Sequence, residues 1–297
     1  MILRAPLSRS NFWIAEGRGA SIMKIMSLNG WGGRLGEALI AYVTATDPDV
    51  LCLQEVVHTP SSQKDWLSYR DGGSELPQRA NFFAEVSKSL PNHRAVFCPA
   101  AQGDLWDGSQ RIASQWGLAT FIRDTMPIIT QHQGFVHGTF SAAGYGDHPR
   151  SRTAHAVRVF DFDQQVPVVI AHMHGLRDLA GKHDTPERLL QARKLVDLVQ
   201  VVAEPGDPII VCGDFNVLPD SETFKVLGTL GLTDLVQNTG SDGTRTSHYA
   251  KPGRFADYML VSSAVGVSSF DIVRNPEISD HCPLVLKIDQ QLKATHA

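Results

Sequence analysis

Apolar residues recur along the chain in two spacings, one typical of strands and one typical of helices. Continuous or alternating apolar runs predict strands. The predicted strands are Ile25–Asn29, Val50–Leu53, Arg94–Cys98, Gly117–Arg123, Ile128–Phe140, Thr153–Asp161, Val166–His172, Ile209–Cys212, Tyr258–Val261 and Pro283–Ile288. Spacings of three and four residues predict the helices Leu35–Ala45, Pro77–Leu90, Thr185–Val202 and Ser221–Leu230. Strands in series with helices among them indicate sheets covered by helices.

The remaining segments predict one long loop and two tails. Residues 99–116 are rich in Gly, Asp, Gln and Ser and predict a surface loop. Residues 1–22 and 291–297 lack periodic apolar positions, so we expect disordered tails around a single domain at 23–290.

Composition excludes several classes of protein. The net charge of −4 argues against a broad basic surface for long nucleic acid. No apolar stretch of about 18 residues is present, and no secretory signal is recognisable, so we expect a cytoplasmic protein, and a monomer. Four cysteines are spread singly along the chain, which is typical of buried free thiols.

Polar residues follow the predicted strands at the points where those strands end. A single Asn, Asp or Glu after a strand is usually a turn former or solvated, and a single His is usually structural. The set as a whole predicts a site. Its members are Asn29, Gln54-Glu55, His172, Asp214, Asn216 and Asp280-His281.

The segment Gly213-Asp-Phe-Asn216 is the most informative of these motifs. On an extended chain Asp214 and Asn216 share one face, while Phe215 points to the core. A carboxylate and an amide side by side suit the orientation of a water molecule beside a phosphate. Alone, an Asx-rich turn explains this motif equally well.

Adjacent residues on a strand face opposite ways, so Asp280 and His281 act together only if the chain bends there. A histidine beside a phosphate contacts an oxygen or moves a proton, and a carboxylate on its other nitrogen fixes its tautomer. Asp257, at the start of a predicted strand, is the candidate for that carboxylate.

Glu55 lies between apolar residues, where an unpaired carboxylate costs several kcal/mol. A bound cation would offset that cost. The oxygen donors predicted to lie with it, Asn29, Asp214 and Asp280, suit Mg²⁺ or Mn²⁺ better than a soft metal.

In their order along the chain, five motifs resemble the endonuclease/exonuclease/phosphatase superfamily, the deoxyribonuclease I-like proteins. They are Met26-Ser-Leu-Asn29, Leu53-Gln-Glu55, Gly213-Asp-Phe-Asn216, Ala256-Asp-Tyr258 and Ser279-Asp-His281. The resemblance implies a four-layer α/β (α+β) sandwich of two packed mixed sheets flanked by helices. It also implies hydrolysis of a phosphodiester or phosphomonoester by metal-assisted attack of water.

The resemblance implies a role for each residue. Metal binding falls to Glu55, with Asn29 near the metal or phosphate and Asp280 at the metal or its hydration shell. The expected catalytic residues are His172, Asp214, Asn216, Asp257 and His281. His174 is expected on the same side of its strand as His172 and is a further candidate for substrate binding.

One departure from the pattern narrows the choice of branch. Abasic-site endonucleases of the superfamily usually carry Tyr-x-Pro-Asn where this chain has Ile170-Ala-His-Met-His174. The abasic-site function is therefore disfavoured, and nucleic acid, lipid and small-molecule substrates all stay open.

Two alternatives and several substrate contacts also stay open. The pair His172 and His174 is similar to the His-x-His of zinc metallo-hydrolases, although Leu176 and Arg177 stand where that family has Asp and His. A non-catalytic binding module on the same fold is the other alternative. Loop residues that could stack on a base or bind further phosphates are Trp31, Trp106, Trp116, Arg111, Arg152 and Arg177.

Overall fold

The structure, a computed structural model, describes residues 22–289. Its strands are β1 (Met23–Asn29), β2 (Val50–His58), β3 (Trp66–Asp71), β4 (Ser74–Arg79), β5 (His93–Asp107), β6 (Gln110–Arg123), β7 (Ile128–His137), β8 (Arg152–Asp161), β9 (Val166–His174), β10 (Ile209–Asp214), β11 (Leu232–Asp234), β12 (Asp257–Ser262), β13 (Val267–Ile272) and β14 (Leu284–Ile288). Its α-helices are α1 (Gly36–Thr46), α2 (Phe82–Ser89), α3 (Pro186–Val202), α4 (Glu222–Leu227) and α5 (Leu235–Asn238).

The strands form two mixed sheets. The first has eight strands in the order β13-β14-β1-β2-β6-β5-β3-β4, and the second has six in the order β11-β12-β10-β9-β8-β7. One parallel pair lies near the middle of each sheet, β1 with β2 and β9 with β10, and the other pairs are antiparallel. The strands that carry the polar motifs are therefore central.

Alternation along the central strands creates two cores. Ile25 on β1 and Cys52 on β2 face the second sheet, whereas Met26 and Leu51 face α1 and α2. Helix α3 packs on β7, β8 and β9 at the outer side of the second sheet, α4 packs on α3, and α5 packs on β12. The molecule thus has four layers, helix–sheet–sheet–helix, which confirms the fold expected from the sequence.

Helix α3 confirms its predicted start. The Thr185 side chain accepts a hydrogen bond from the backbone N of Arg188 (3.3 Å), and Pro186 occupies the first turn. The four cysteines, Cys52, Cys98, Cys212 and Cys282, are buried free thiols as expected.

The prediction of a loop over residues 99–116 is wrong. This segment lies within the long hairpin of β5 and β6, which turns at Gly108. Ala101, Gly103 and Leu105 are buried while the residues between them are partly exposed. A strand with one solvated face carries so many polar residues that its composition imitates a loop.

The helix predicted at 77–90 is wrong in its first part. Residues 77–79 belong to β4, and the helix begins at Phe82. The predicted tails fall, apart from Ile22, outside the described residues. Within 22–289, no helix is long and apolar enough to cross a membrane.

Candidate functional site

The carboxyl ends of the central strands place the polar residues at one edge of the two sheets. On the first sheet, Asn29 pairs with Gln54 across the parallel strands β1 and β2. On the second sheet, Asp214 at the end of β10 pairs with His174 on one side and with Asp257 on the other. Strand register therefore sets three of the polar side chains in neighbouring ladder positions.

A β-bulge turns Glu55 towards these residues. The pairing of β2 with β6 shifts between Leu53 and Val56, and Glu55 has a left-handed backbone with φ of +54°. Asn29 then joins the two sheets, because its Nδ2 donates both to Glu55 Oε1 (3.1 Å) and to Asp214 Oδ2 (3.0 Å). The two carboxylates are thus held together through one amide.

Asp214 and Asn216 both line the site, but not by the extended geometry that the sequence suggested. Strand β10 ends at Asp214, and Asn216 has a left-handed backbone with φ of +55°. The backbone N of Asn216 donates to Asp214 Oδ1 (3.1 Å), which makes an Asx turn. Phe215 points into the core, where it packs on Tyr258, as expected.

Gly213 is required by the close approach of β9. A Cβ at this position would lie 2.2 Å from the carbonyl oxygen of Met173, and its φ is +128°. No other residue fits there without moving the strand that carries His174.

Asp257 and His281 form a buried pair, as proposed from the sequence. His281 Nδ1 lies 2.8 Å from both carboxylate oxygens of Asp257, and Thr244 Oγ1 donates to Asp257 Oδ2 (2.8 Å). Burial raises the pKa of Asp257 to about 6 and lowers the pKa of His281 to about 4. At pH 7 the carboxylate is therefore ionised and the imidazole neutral, with its proton on Nδ1 and Nε2 facing Asp214 (3.7 Å).

The chain bends at Ser279 and Asp280, so the adjacent Asp280 and His281 both reach the site. Ser279 Oγ donates to the backbone O of Asn29 (2.6 Å) and ties this bend to β1. Asp280 Oδ2 accepts from Arg245 Nη1 (2.8 Å), whereas its Oδ1 is buried without a hydrogen bond among the described residues and lies 3.7 Å from His281 Nε2.

The donor set fits a hard divalent cation. Burial and the neighbouring charges of Asp280 and Asp214 raise the pKa of Glu55 to about 7, since three carboxylates face one another. Ligand atoms of Glu55, His174 and Asp214 lie within 4.8 Å of one another, and so do those of Asp214, Asp257 and His281. A cation between these oxygens would offset the excess negative charge.

The structure places His172 outside this set, which corrects the expectation for that residue. Its Nδ1 accepts from Gln54 Nε2 (3.2 Å), and its Nε2 lies 2.8 Å from Thr120 Oγ1. Both ring nitrogens are thus occupied between the sheets. Burial lowers the pKa of His172 well below its ordinary value, and the ring stays neutral.

His174 takes the position that the sequence assigned to His172, because β9 runs two residues further than predicted. Its Nε2 lies 3.7 Å from Asp214 Oδ2 and 3.9 Å from Glu55 Oε1. The His-x-His pair of the zinc alternative is therefore not assembled, since the two rings face different partners.

A cavity of about 970 Å³ opens above this cluster. Arg152, Arg177, Trp31 and Trp116 line it. The other two residues considered for substrate contacts lie elsewhere: Arg111 stacks over Trp106, 5.0 Å from its ring centroid, on the β5–β6 hairpin.

Two residues of the site carry no recognisable signal in the sequence. Thr244 holds Asp257 through its side chain, and Arg245 is paired with Asp280. Both lie in a polar segment, Ser241-Asp-Gly-Thr-Arg-Thr246, where an arginine or threonine is normally solvated. Nothing in the local pattern separates them from ordinary loop residues.

Two packed mixed sheets with this cluster at their strand ends define the deoxyribonuclease I-like class. A sequence profile of the Endonuclease/Exonuclease/phosphatase family matches residues 26–281. The chain therefore belongs to the Endonuclease/Exonuclease/phosphatase family, whose members are hydrolases of phosphoester bonds.

Solved structures similar to this chain share its fold at low sequence identity. A family protein from Bacteroides thetaiotaomicron is 15% identical, with a TM-score of 0.63 over 91% of this chain and 98% of that one. A mannosyl-6-phosphatase from the same organism is 16% identical, with a TM-score of 0.62 over 90% of this chain and 99% of that one. The human Nocturnin catalytic domain with bound sulfate is 20% identical, with a TM-score of 0.62 over 90% of this chain and 94% of that one. A search of curated protein sequences gave no significant match.

Proposed function

We propose that this protein is a Mg²⁺- or Mn²⁺-dependent phosphoester hydrolase in which water attacks the phosphorus atom. The observation that carries the proposal is the position of Asp214 at the strand ends, where it groups with Glu55 and His174 on one side and with Asp257 and His281 on the other. Family membership supports the reaction class. The mannosyl-6-phosphatase named above supports a phosphatase within that class.

Glu55 and Asp214 would hold the cation, with Asn29 and Asp280 beside them. When bound there, a divalent cation supplies Lewis-acid stabilisation of the charge that develops on phosphate oxygens and lowers the pKa of water. Asp214 and Asn216 orient the attacking water from the turn that ends β10. The amide of Asn29 keeps the two carboxylates at a fixed separation.

His281 presents Nε2 to the substrate phosphate, where it contacts an oxygen or transfers a proton. Asp257 acts through His281, because it fixes the tautomer with the proton on Nδ1. We assign the second imidazole contact to the phosphate to His174 rather than to His172.

A panel of phosphate esters with Mg²⁺ and Mn²⁺ tests the proposal. It contains p-nitrophenyl phosphate, bis-p-nitrophenyl phosphate, sugar phosphates, inositol phosphates, a choline phospholipid and plasmid DNA, with the Asp214→Ala protein as blank. We expect turnover of at least one compound, lost with EDTA and reduced about 10²-fold or more in Asp214→Ala and His281→Ala.

The binding-module alternative predicts another result in the same assay. Folded wild-type protein would then give no metal-dependent turnover above the Asp214→Ala blank for any compound. Activity with Zn²⁺ alone, unaffected by Asp214→Ala, would support the zinc alternative and contradict the proposal.

A further inference from the structure

The wall of the cavity carries a group of cationic side chains beside the candidate catalytic cluster. They come from separate segments: Arg150 and Arg152 at the start of β8, Arg177 after β9, and Lys182 before α3. Three of them interact electrostatically: burial is the main cause of the lowered pKa of Arg152, and the positive charges of Arg150 and Arg177 lower it further.

Two of the cations in this wall already have protein partners. Arg150 donates to Asp71 Oδ2 (2.7 Å) and to the Tyr69 hydroxyl (2.6 Å). Lys182 donates to the carbonyl oxygens of Gly253 (2.9 Å) and Phe255 (2.5 Å). These contacts fix the β3–β4 hairpin and the loops around the cavity, and they leave few N–H groups of Arg150 and Lys182 free to bind a ligand.

Arg152 differs because it is buried, with 3% of its surface exposed, and no carboxylate of residues 22–289 forms an ion pair with it. Its Nε donates to the carbonyl oxygen of Gly175 (2.9 Å), Nη1 donates to that of Ser151 (3.1 Å), and the guanidinium stacks 4.9 Å from the Trp116 ring centroid. Burial lowers its pKa to about 10 even though Glu55 and Asp214 act in the opposite direction. A cation held in this way is costly unless an anion joins it.

Arg177 is exposed, and no carboxylate among the residues that the structure describes forms an ion pair with it. Its loop is nevertheless fixed. The backbone N of Leu176 donates to Gln191 Oε1 (2.7 Å), and the buried Arg188 donates to the carbonyl oxygens of Leu176, Gly181 and His183. Arg188 thus stabilises the loop, whereas Arg177 lies at the cavity and does not stabilise the loop itself.

We propose that Arg152 and Arg177 form a second anion subsite, and that the substrate is a small phosphate ester with a second phosphate group. This inference rests on the proposed phosphoester hydrolysis. Arginine forks bind phosphate oxygens in pairs, which suits a second phosphate. A cavity of about 970 Å³ matches a small molecule, and the four cationic side chains all line this one cavity.

Matched substrates test the subsite. The pairs are adenosine 3′,5′-bisphosphate against adenosine 5′-monophosphate and fructose 1,6-bisphosphate against fructose 6-phosphate, with p-nitrophenyl phosphate as the single-anion reference. In the wild type we expect kcat/KM for one bisphosphate to exceed that of its monophosphate by about 10- to 100-fold, mainly through KM. Arg177→Gln and Arg152→Met should reduce this ratio at least 5-fold.

The controls separate the subsite from the chemistry. Arg177→Gln should reduce kcat/KM for a bisphosphate more than kcat/KM for p-nitrophenyl phosphate. Arg193→Gln, on the exposed side of α3, should leave both p-nitrophenyl phosphate turnover and the ratio unchanged. Calorimetric binding of adenosine 3′,5′-bisphosphate and fructose 1,6-bisphosphate to Asp214→Asn protein gives a readout without turnover, and binding of at least one should weaken about 10-fold on adding Arg177→Gln.

Three outcomes would overturn the inference. In the first, bisphosphate and monophosphate have equal kcat/KM in both pairs. In the second, Arg177→Gln leaves the bisphosphate-to-monophosphate ratio of kcat/KM unchanged. In the third, plasmid DNA is the only substrate whose cleavage depends on these arginines. If p-nitrophenyl phosphate and every other ester stay intact, the proposed function itself has failed. Turnover of monophosphates with no bisphosphate preference instead rejects the subsite alone.

Discussion

At the scale of single residues, the site depends on side chains that hold other side chains. Asn29 joins Glu55 to Asp214, and Thr244 and Asp257 together hold His281. These contacts fix positions before any ligand arrives. A change in one of them should therefore affect turnover more than folding.

Asp257→Asn tests this dependence most simply. An asparagine in the same place replaces one of the two acceptor oxygens beside His281 Nδ1 by an NH2 donor. The proton is then no longer held on Nδ1, and the ring loses its fixed tautomer. We expect kcat to fall about 10- to 100-fold with little change in KM. Steady-state kinetics across pH 5 to 9 measures kcat and KM, and the dependence of kcat on pH should change shape.

The exposed Asp271→Asn on β13 is the matched control for loss of an aspartate charge. It should behave as wild type. If Asp257→Asn retains full kcat and an unchanged pH profile while folded by circular dichroism, Asp257 does not position His281.

At the scale of elements, register and bulges bring the residues together. Strands β9 and β10 run parallel with Asp214 opposite His174, and the bulge in β2 turns Glu55 out of its ladder. Gly213 permits the close contact between the two parallel strands.

Gly213→Ala should therefore be strongly destabilising. Its Cβ would meet the Met173 carbonyl oxygen at 2.2 Å, and its φ of +128° is unfavourable for alanine. Gly206→Ala is the matched control, because φ is +91° there but the new Cβ meets nothing within 4 Å. Urea unfolding should give a loss of about 1–2 kcal/mol for Gly206→Ala and about 3 kcal/mol or more for Gly213→Ala. Equal losses would contradict a steric role.

The polar network between the sheets should make stability depend on pH. Burial lowers the pKa of His155 from its ordinary 6.5 to about 4, and Thr120 Oγ1 contacts its Nδ1 (2.7 Å). The unfolded chain takes up this proton first as pH falls from 6.5 to 4, so the free energy of unfolding drops by about 3 kcal/mol on this account.

His155→Asn keeps a polar atom near the Nδ1 position but removes the titration. The free energy of unfolding should then fall less steeply between pH 7 and pH 4, as measured by urea unfolding at each pH. The exposed His183→Asn should keep the wild-type slope. An unchanged slope in His155→Asn would show that this histidine does not titrate differently on folding.

The same elements explain how much the sequence could predict. Buried central strands such as β1 and β10 have apolar patterns that identify them and the polar residues that end them. The β5–β6 hairpin has a solvated face, so its composition imitates a loop. The sequence favours His172 over His174 because β9 ends two residues after its apolar run. Arg245 reaches Asp280 only through tertiary packing, which local pattern does not record.

At the scale of the whole molecule, each sheet supplies part of the site. Asn29 and Glu55 come from the first sheet, His174 and Asp214 from the second, and both sheets are held by a common core. Burial, together with the neighbouring charges of Asp280 and Asp214, raises the pKa of Glu55 to about 7. A bound cation should therefore stabilise the junction between the sheets as well as serve the chemistry.

Anomalous diffraction from crystals soaked in Mn²⁺ tests the central claim most directly. We expect a peak about 2.1 Å from a carboxylate oxygen of Glu55 and close to Asp214, and no peak there in Glu55→Gln crystals treated in the same way. A manganese peak elsewhere with none at this junction, or an equal peak in the Glu55→Gln crystals, would contradict the assignment of the cation site.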